Sequence, residues 1–205
     1  LQTAKGTSFI INVIVGYDGE PEYNTTNKEA FVGNSFRLTS NETKTLNATD
    51  AIYKSKVYAW SLETGQQIPI LTTDITKVAN TRGVYDITFT TVKGSKFTVK
   101  AIVNYDREEI KNTFRAETII ANDFKVKANE VLSLTNQNII DKSNANAWDT
   151  NNARNIPVFV FDMTKIKAER GVYPVILRTD KTIGYQVNVI VDYLTDPVVD
   201  PVNKE

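Results

Sequence analysis

Val99-Lys100-Ala101-Ile102-Val103-Asn104-Tyr105 stands three times, in close variants, in this 205-residue chain. At an offset of 88 residues before it the chain reads Ile11-Asn12-Val13-Ile14-Val15-Gly16-Tyr17; at the same offset after it, Val187-Asn188-Val189-Ile190-Val191-Asp192-Tyr193. Counted from Phe97, the residues Phe97, Val99, Ala101, Val103 and Tyr105 fall on one face of an extended chain. That period of two is the mark of a half-buried strand. Ile14, Ile102 and Ile190 interrupt the polar face at one equivalent place in all three copies. A neighbouring module is expected to cover that place.

The match continues between the strands without a gap. Ala59-Trp60 faces Ala147-Trp148, and Ile68-Pro69 faces Ile156-Pro157. Asp74, Thr76 and Lys77 face Asp162, Thr164 and Lys165, and Arg82-Gly83-Val84-Tyr85 faces Arg170-Gly171-Val172-Tyr173. Aligned on each other, 29–106 and 117–194 are identical at roughly a third of positions. A fixed internal period points to a modular array. The organisation read from it is a terminal-strand remnant of a preceding repeat (1–18), a first repeat (19–106), a second repeat (107–194) and a proline-spaced linker (195–205). The sequence opens on Leu1 rather than Met, which reads as a piece of something longer.

Composition narrows the chemistry. Twenty-four basic residues balance 24 acidic ones, with no basic block. That argues against nucleic acid and against an anionic membrane surface as partners. No apolar run approaches the ~18 residues of a membrane span, so membrane insertion is not expected. The chain has no Cys and no His. Thiol catalysis, Ser–His or Cys–His nucleophiles and zinc sites built on those ligands are thereby excluded within it. No glycine-rich phosphate loop is present, and no cofactor is expected.

Within one repeat the expected elements are mostly strands. Val84 to Thr90 and Phe97 to Tyr105 form a hairpin around Thr91-Val92-Lys93-Gly94-Ser95. Gly83 and Gly171 precede it, where a tight entry or a positive φ is expected. Residues 30–39, 57–62 and 68–73 supply three further strands. Residues 45–55 and 133–143 are ambiguous: Leu46 with Ile52, and Leu134 with Ile139 and Ile140, line one side of a short helix. Residues 19–28 and 107–116 read as polar connectors. The fold class is therefore all-β, with one short helix per repeat, arranged as a small β-sandwich.

The second repeat carries a family resemblance in Ala121-Asn122-Asp123-Phe124, Leu134-Thr135, Ala147-Trp148-Asp149, Ile156-Pro157-Val158 and Gly171-Val172-Tyr173-Pro174-Val175. As an ordered set it resembles the immunoglobulin-like repeats of wall-anchored surface proteins and adhesins of Gram-positive bacteria, those of listeriae, enterococci and lactobacilli. The first repeat departs from it at Gly33-Asn34-Ser35-Phe36 and has Ser61 where the second has Asp149. The resemblance implies tandem Ig-like domains, secreted and attached to the cell wall. It says little about ligands, because such modules serve both as spacers and as binders; for a binder the expected partner is a host or surface protein, or a glycan.

Candidate sites divide between functional and structural readings. Trp60 and Trp148, the two tryptophans, are either stacking platforms for a sugar or aromatic anchors between sheets; the second is the commoner fate. Asp74/Asp162 with Thr76/Thr164 reads as a turn cap, with Arg82/Arg170 as a partner for that Asp. Asp18, Glu20, Asp106, Glu108, Glu109 and Asp192 gather near junctions, but without calcium-loop spacing, and no metal site is assigned. Lys54/Lys142, Lys93/Lys181, Asn34/Asn122 and Asn41/Asn129 recur, but no pair sits in the first-strand, last-strand arrangement of an intramolecular Lys–Asn isopeptide bond. No catalytic residue is assigned and no enzymatic activity is expected. The expectation is a stalk or adhesion segment. Its alternatives are an accessory carbohydrate-binding module of a secreted enzyme and a partner-protein binder using a sheet edge. Residues 8–17, an apolar strand without its own sheet, are expected to add to a sheet edge on this chain or a second one.

Overall fold

The computed structural model describes residues 2, 4–6, 10–180 and 182–193. The first repeat runs β1 (Glu22–Asn24), β2 (Glu29–Val32), β3 (Phe36–Leu38), α1 (Ser40–Thr45), α2 (Ala48–Ser55), β4 (Tyr58–Ser61), β5 (Ile70–Asp74), β6 (Gly83–Thr91) and β7 (Lys96–Val103). The second runs β8 (Ile110–Asn112), β9 (Glu117–Ile120), β10 (Phe124–Val126), α3 (Ala128–Val131), α4 (Asn136–Lys142), β11 (Asn146–Asp149), β12 (Val158–Asp162), β13 (Gly171–Thr179) and β14 (Gly184–Val191). The protein is thus mostly β, with 40% strand and 13% helix in four sheets.

Each repeat holds a three-stranded sheet, β1-β2-β4 or β8-β9-β11, and a four-stranded sheet, β3-β7-β6-β5 or β10-β14-β13-β12. The hairpin β6–β7 dominates the larger sheet, in register from Gly83↔Val103 to Thr90↔Lys96. The short strand β3 runs parallel to β7, as β10 does to β14. In the first repeat both sheets share one core. Phe31 of β2 stacks on Phe97 of β7 at 5.9 Å, and Ala59, Ile87, Phe89, Val99, Ala101 and Val103 complete it. Ile119, Ala147, Val175, Leu177, Tyr185 and Val187 do the same in the second. Apolar alternation drives this burial, at about 1.5–3 kcal/mol per large side chain.

The structure departs from the sequence reading in three places. Residues 30–39 are two strands in different sheets. The chain crosses over at Gly33, where a Cβ would stand 2.9 Å from the Phe97 ring. The ambiguous stretches form α2 and α4, capped by Asn47 and Thr135, but a further short helix, α1 or α3, precedes each of them. The polar connectors contain β1 and β8, each antiparallel to the strand that follows. Of the two roles open to them, Gly83 and Gly171 take the tight entry and not the positive φ. They are small because the rings of Tyr85 and Tyr173 lie over them, 2.8 Å from where a Cβ would be.

Left-handed residues recur with the repeat: Lys28/Ala116, Lys56/Asn144, Gly65/Ala153, Gly94/Thr182 and Asn104/Asp192. Thr182 at φ +82 is the costliest, since a β-branched residue is strained there and its counterpart is Gly94. Thr182→Gly is expected to stabilise the second repeat by about 0.5–1 kcal/mol, the relief of strain exceeding the added chain entropy. Urea unfolding measures it.

Helix α1 opens on a capping box in which Glu42 accepts from Thr39 N–H at 2.8 Å and Thr39 Oγ1 accepts from Glu42 N–H. The Thr39 backbone N–H, the Lys54 ammonium and the Thr39 hydroxyl hold the Glu42 carboxyl down at about 2, from an ordinary 4.5. A carboxyl depressed in the folded state stabilises above its unfolded pKa. That contribution is therefore lost as the pH falls from about 4.5 to about 2. Solvent screening at this exposed position limits it to about 0.5–1 kcal/mol. In Glu42→Ala, urea titrations are expected to show that loss already at neutral pH and no further change across the window from this group.

Candidate functional site: the junction between repeats

The site that the sequence marks in triplicate is where the repeats meet. In β7 the residues Phe97, Val99, Ala101 and Val103 face the core, so Lys100 and Ile102 face outward. In the second repeat, Ala147 faces the core while its neighbour Trp148 points the other way. Ile102, Tyr105, Ile120 and Trp148 form one buried cluster, with Val84 packed against it. Ile102 and Trp148 are each 1% exposed. The outer face of one larger sheet thus meets the outer face of the next smaller one. The contact is lateral as well as through the connector, so the repeats are not beads joined only end to end.

Polar bonds frame this apolar contact. Tyr105 donates its hydroxyl to Asn144 O at 2.6 Å and accepts from Asn146 Nδ2 at 2.8 Å. Burial pushes the Tyr105 phenol up to about 12. Asp106 N–H donates to Asn122 Oδ1 at 2.9 Å. The buried Lys100 ammonium donates to Asp86 Oδ1 and, across the junction, to Asn155 Oδ1, both at 2.6 Å. Arg107 donates to Asp123 and to Gln186 O, and Lys111 pairs with Asp18 at 2.7 Å.

A second copy of this contact sits at the other side of the first repeat. Ile14 and Tyr17 pack against Ala30, Val32 and Trp60. Tyr17 donates to Lys56 O at 2.7 Å, and Asp18 N–H donates to Asn34 Oδ1 at 2.9 Å. Apart from Ala30, each of these residues stands 88 positions before its counterpart in the first contact. Gly16, Asn104 and Asp192, just before the three tyrosines, all have positive φ, a conformation that Gly, Asn and Asp tolerate best.

Trp60 and Trp148 are 4% and 1% exposed, and neither belongs to the core between sheets. The inter-sheet anchor reading is corrected accordingly: alternation gives the core to Ala59 and Ala147, and both indoles to the junctions. Residues 10–17 form no strand; Val13 and Val15 stay exposed, and Ile14 and Tyr17 lie on the Trp60 face. Among residues 10–17 the expected addition to a sheet edge on this chain is not seen; Ile14 and Tyr17 dock by their side chains instead. Ser8, Phe9 and the linker 195–205 lie outside the described residues.

The remaining candidates are structural. Asp74 accepts from the N–H and hydroxyl of Thr76, as Asp162 does from Thr164, and these bonds lower both carboxyls. Arg82 pairs with Asp106 at 2.6 Å rather than with Asp74. Asn34 and Asn122 hold the backbone at the junctions, and Lys54 pairs with Glu42. No group of three or more acidic residues among the described ones is placed to hold a metal. A cleft of about 490 Å3 beside Arg37, Arg82 and Tyr105 is open, and both guanidinium groups are paired, with Glu109 and Asp106. No helix among the described residues is long and apolar enough to cross a membrane.

One pair escaped the sequence reading. Glu29 and Glu117 are fully buried, and each accepts from a threonine hydroxyl, Thr91 at 2.8 Å and Thr179 at 2.7 Å. The other oxygen of each carboxyl has no partner among the described residues. The identity of both residues at the 88-residue offset was the available signal.

No protein-family model matches the chain, and no curated protein matches it.

Proposed function

We propose that this chain is a pair of Ig-like modules forming a non-enzymatic stalk or adhesion segment of a Gram-positive bacterial surface protein, outside the cell and held to the wall. The observation that carries this is the junction, built twice around an Ile–Tyr–Trp contact at equivalent positions. A contact repeated with its spacing belongs to an array whose neighbours are held in a fixed relation. Local features support the Ig-like reading. The Tyr85 and Tyr173 hydroxyls, at the start of each penultimate strand, donate back to Thr81 O and Glu169 O, in the manner of the tyrosine corner of such sandwiches. The mechanism is mechanical. Each repeat is a β unit with its own core, and the Trp–Ile–Tyr contact limits bending between units, so a binding region is held at a set distance from the wall.

The alternative, a carbohydrate-binding module, needs an open indole face. Tryptophan fluorescence separates the two. Blue-shifted emission that resists acrylamide and ignores soluble glycans is expected. Red-shifted, quenchable emission that moves with a glycan would overturn the stalk reading in favour of the sugar module. Protease shaving of intact source cells is expected to release peptides of this chain.

A further inference from the structure

We infer that the outer face of β13–β14, around Val172, Ile190 and Tyr193, is a docking surface for the Trp60 end of a second copy of this chain. Two of the three Ile-x-x-Tyr copies are seated on a tryptophan-bearing face; among the described residues the third is seated on none, and the Arg170 guanidinium lies over its Tyr193 ring at 4.6 Å, a side chain that docking must displace or share. Val172, Ile190 and Tyr193 stand 88 residues after Val84, Ile102 and Tyr105 and are identical to them. Val172 and Ile190 are paired across β13 and β14, as Val84 and Ile102 are across β6 and β7. Tyr105 is 7% exposed under the second repeat, whereas Tyr193 is 40% and Val172 54% exposed. Ile190 between them is already buried. Asp192 repeats the left-handed turn of Asn104 that aims the tyrosine.

The occupant follows from the internal template. The surface that covers Ile102 and Tyr105 consists of Ile120, Trp148, the Asn122 amide and the Asn144 carbonyl. The first repeat offers Val32, Trp60, Asn34 and the Lys56 carbonyl in these places, with Tyr58 and Gln67 where the template has Asn146 and Asn155. The bond to Asn34 comes from a backbone N–H after the tyrosine.

In the free chain the Trp60 face is held by its own Ile14 and Tyr17. That segment belongs to no sheet and must be ordered for two side chains. The β13–β14 face presents the same side chains on a formed hairpin, so it docks at lower entropic cost. A head-to-tail contact of this kind does not close, and it elongates the array. The inference extends the stalk reading and rests on it for its purpose, but its geometry stands on the junction alone.

The test uses the full chain. Ile14→Asp/Tyr17→Ala frees the Trp60 face without touching either core. Sedimentation equilibrium from about 10 µM to about 1 mM, the range of weak association, is expected to show mass rising with concentration for this variant and far less for the parent. Trp60 emission should shift to the blue over the same range. Adding Val172→Asp/Tyr193→Asp should return the variant to a monomer. A folded variant, checked by circular dichroism, that stays monomeric throughout would overturn the inference and leave the stalk reading standing. Association that persists with Val172→Asp/Tyr193→Asp would overturn it too, because the contact would lie elsewhere.

Discussion

Trp148→Ala is expected to destabilise the protein by about 3–5 kcal/mol, the range for emptying a buried tryptophan site. The loss has a distinctive location. Ile102, Tyr105 and Val84 of the first repeat line the same cluster, so part of the cost falls on the coupling between repeats. A double-mutant cycle of Trp148→Ala with Ile102→Ala should give an interaction energy of about 0.5–3 kcal/mol, as for side chains in direct contact. The same cycle with Ile87→Ala, inside the first core, should give none. An additive result with Ile102 would place Trp148 back in its own repeat.

Thr179→Val is expected to cost about 3 kcal/mol. The Thr179 hydroxyl donates to buried Glu117 at 2.7 Å and accepts from Ile183 N–H at 3.2 Å. Valine keeps the shape and loses both bonds. Glu117 is then left with no partner on either oxygen among the described residues, and the Ile183 N–H with none from this side chain. A buried polar group without a partner costs about 1–3 kcal/mol, and replacing both partners by apolar groups costs less. Glu117→Met/Thr179→Val should therefore recover part of the loss in urea unfolding. Thr91→Val should behave alike in the first repeat, where Thr91 also accepts from Ser95 N–H.

The sequence showed most where apolar alternation was long. The hairpin β6–β7 and its counterpart were legible in nine- and eight-residue strands. Ile102 on a polar face correctly signalled a neighbour: it packs against Ile120 and Trp148 of the second repeat. Short strands were illegible: β1 and β8 have three residues each, rich in Asn, Tyr and Lys, and are stabilised by cross-strand pairing. The break at Gly33 depends on a contact with Phe97, 64 residues away in the chain, which no local pattern carries. The tryptophans were legible as buried but not as to where. In Ala59-Trp60 both residues are apolar, and only the sheet decides which one faces the core. Glu29 and Glu117 sit beside polar connectors and read as solvated until the Thr91 and Thr179 hydroxyls come over them.

The central claim is that the two repeats are held as one body by the Ile102–Tyr105–Trp148 contact. Backbone 15N relaxation on the full chain tests it directly, since it gives a rotational correlation time for each repeat separately. The expected result is one shared correlation time, that of a 23.0 kDa body, across 29–106 and 117–194, falling to two shorter and unequal times in Trp148→Ala. Two short, unequal times in the unmutated chain would contradict the account, because the repeats would then be tumbling as beads on a flexible connector.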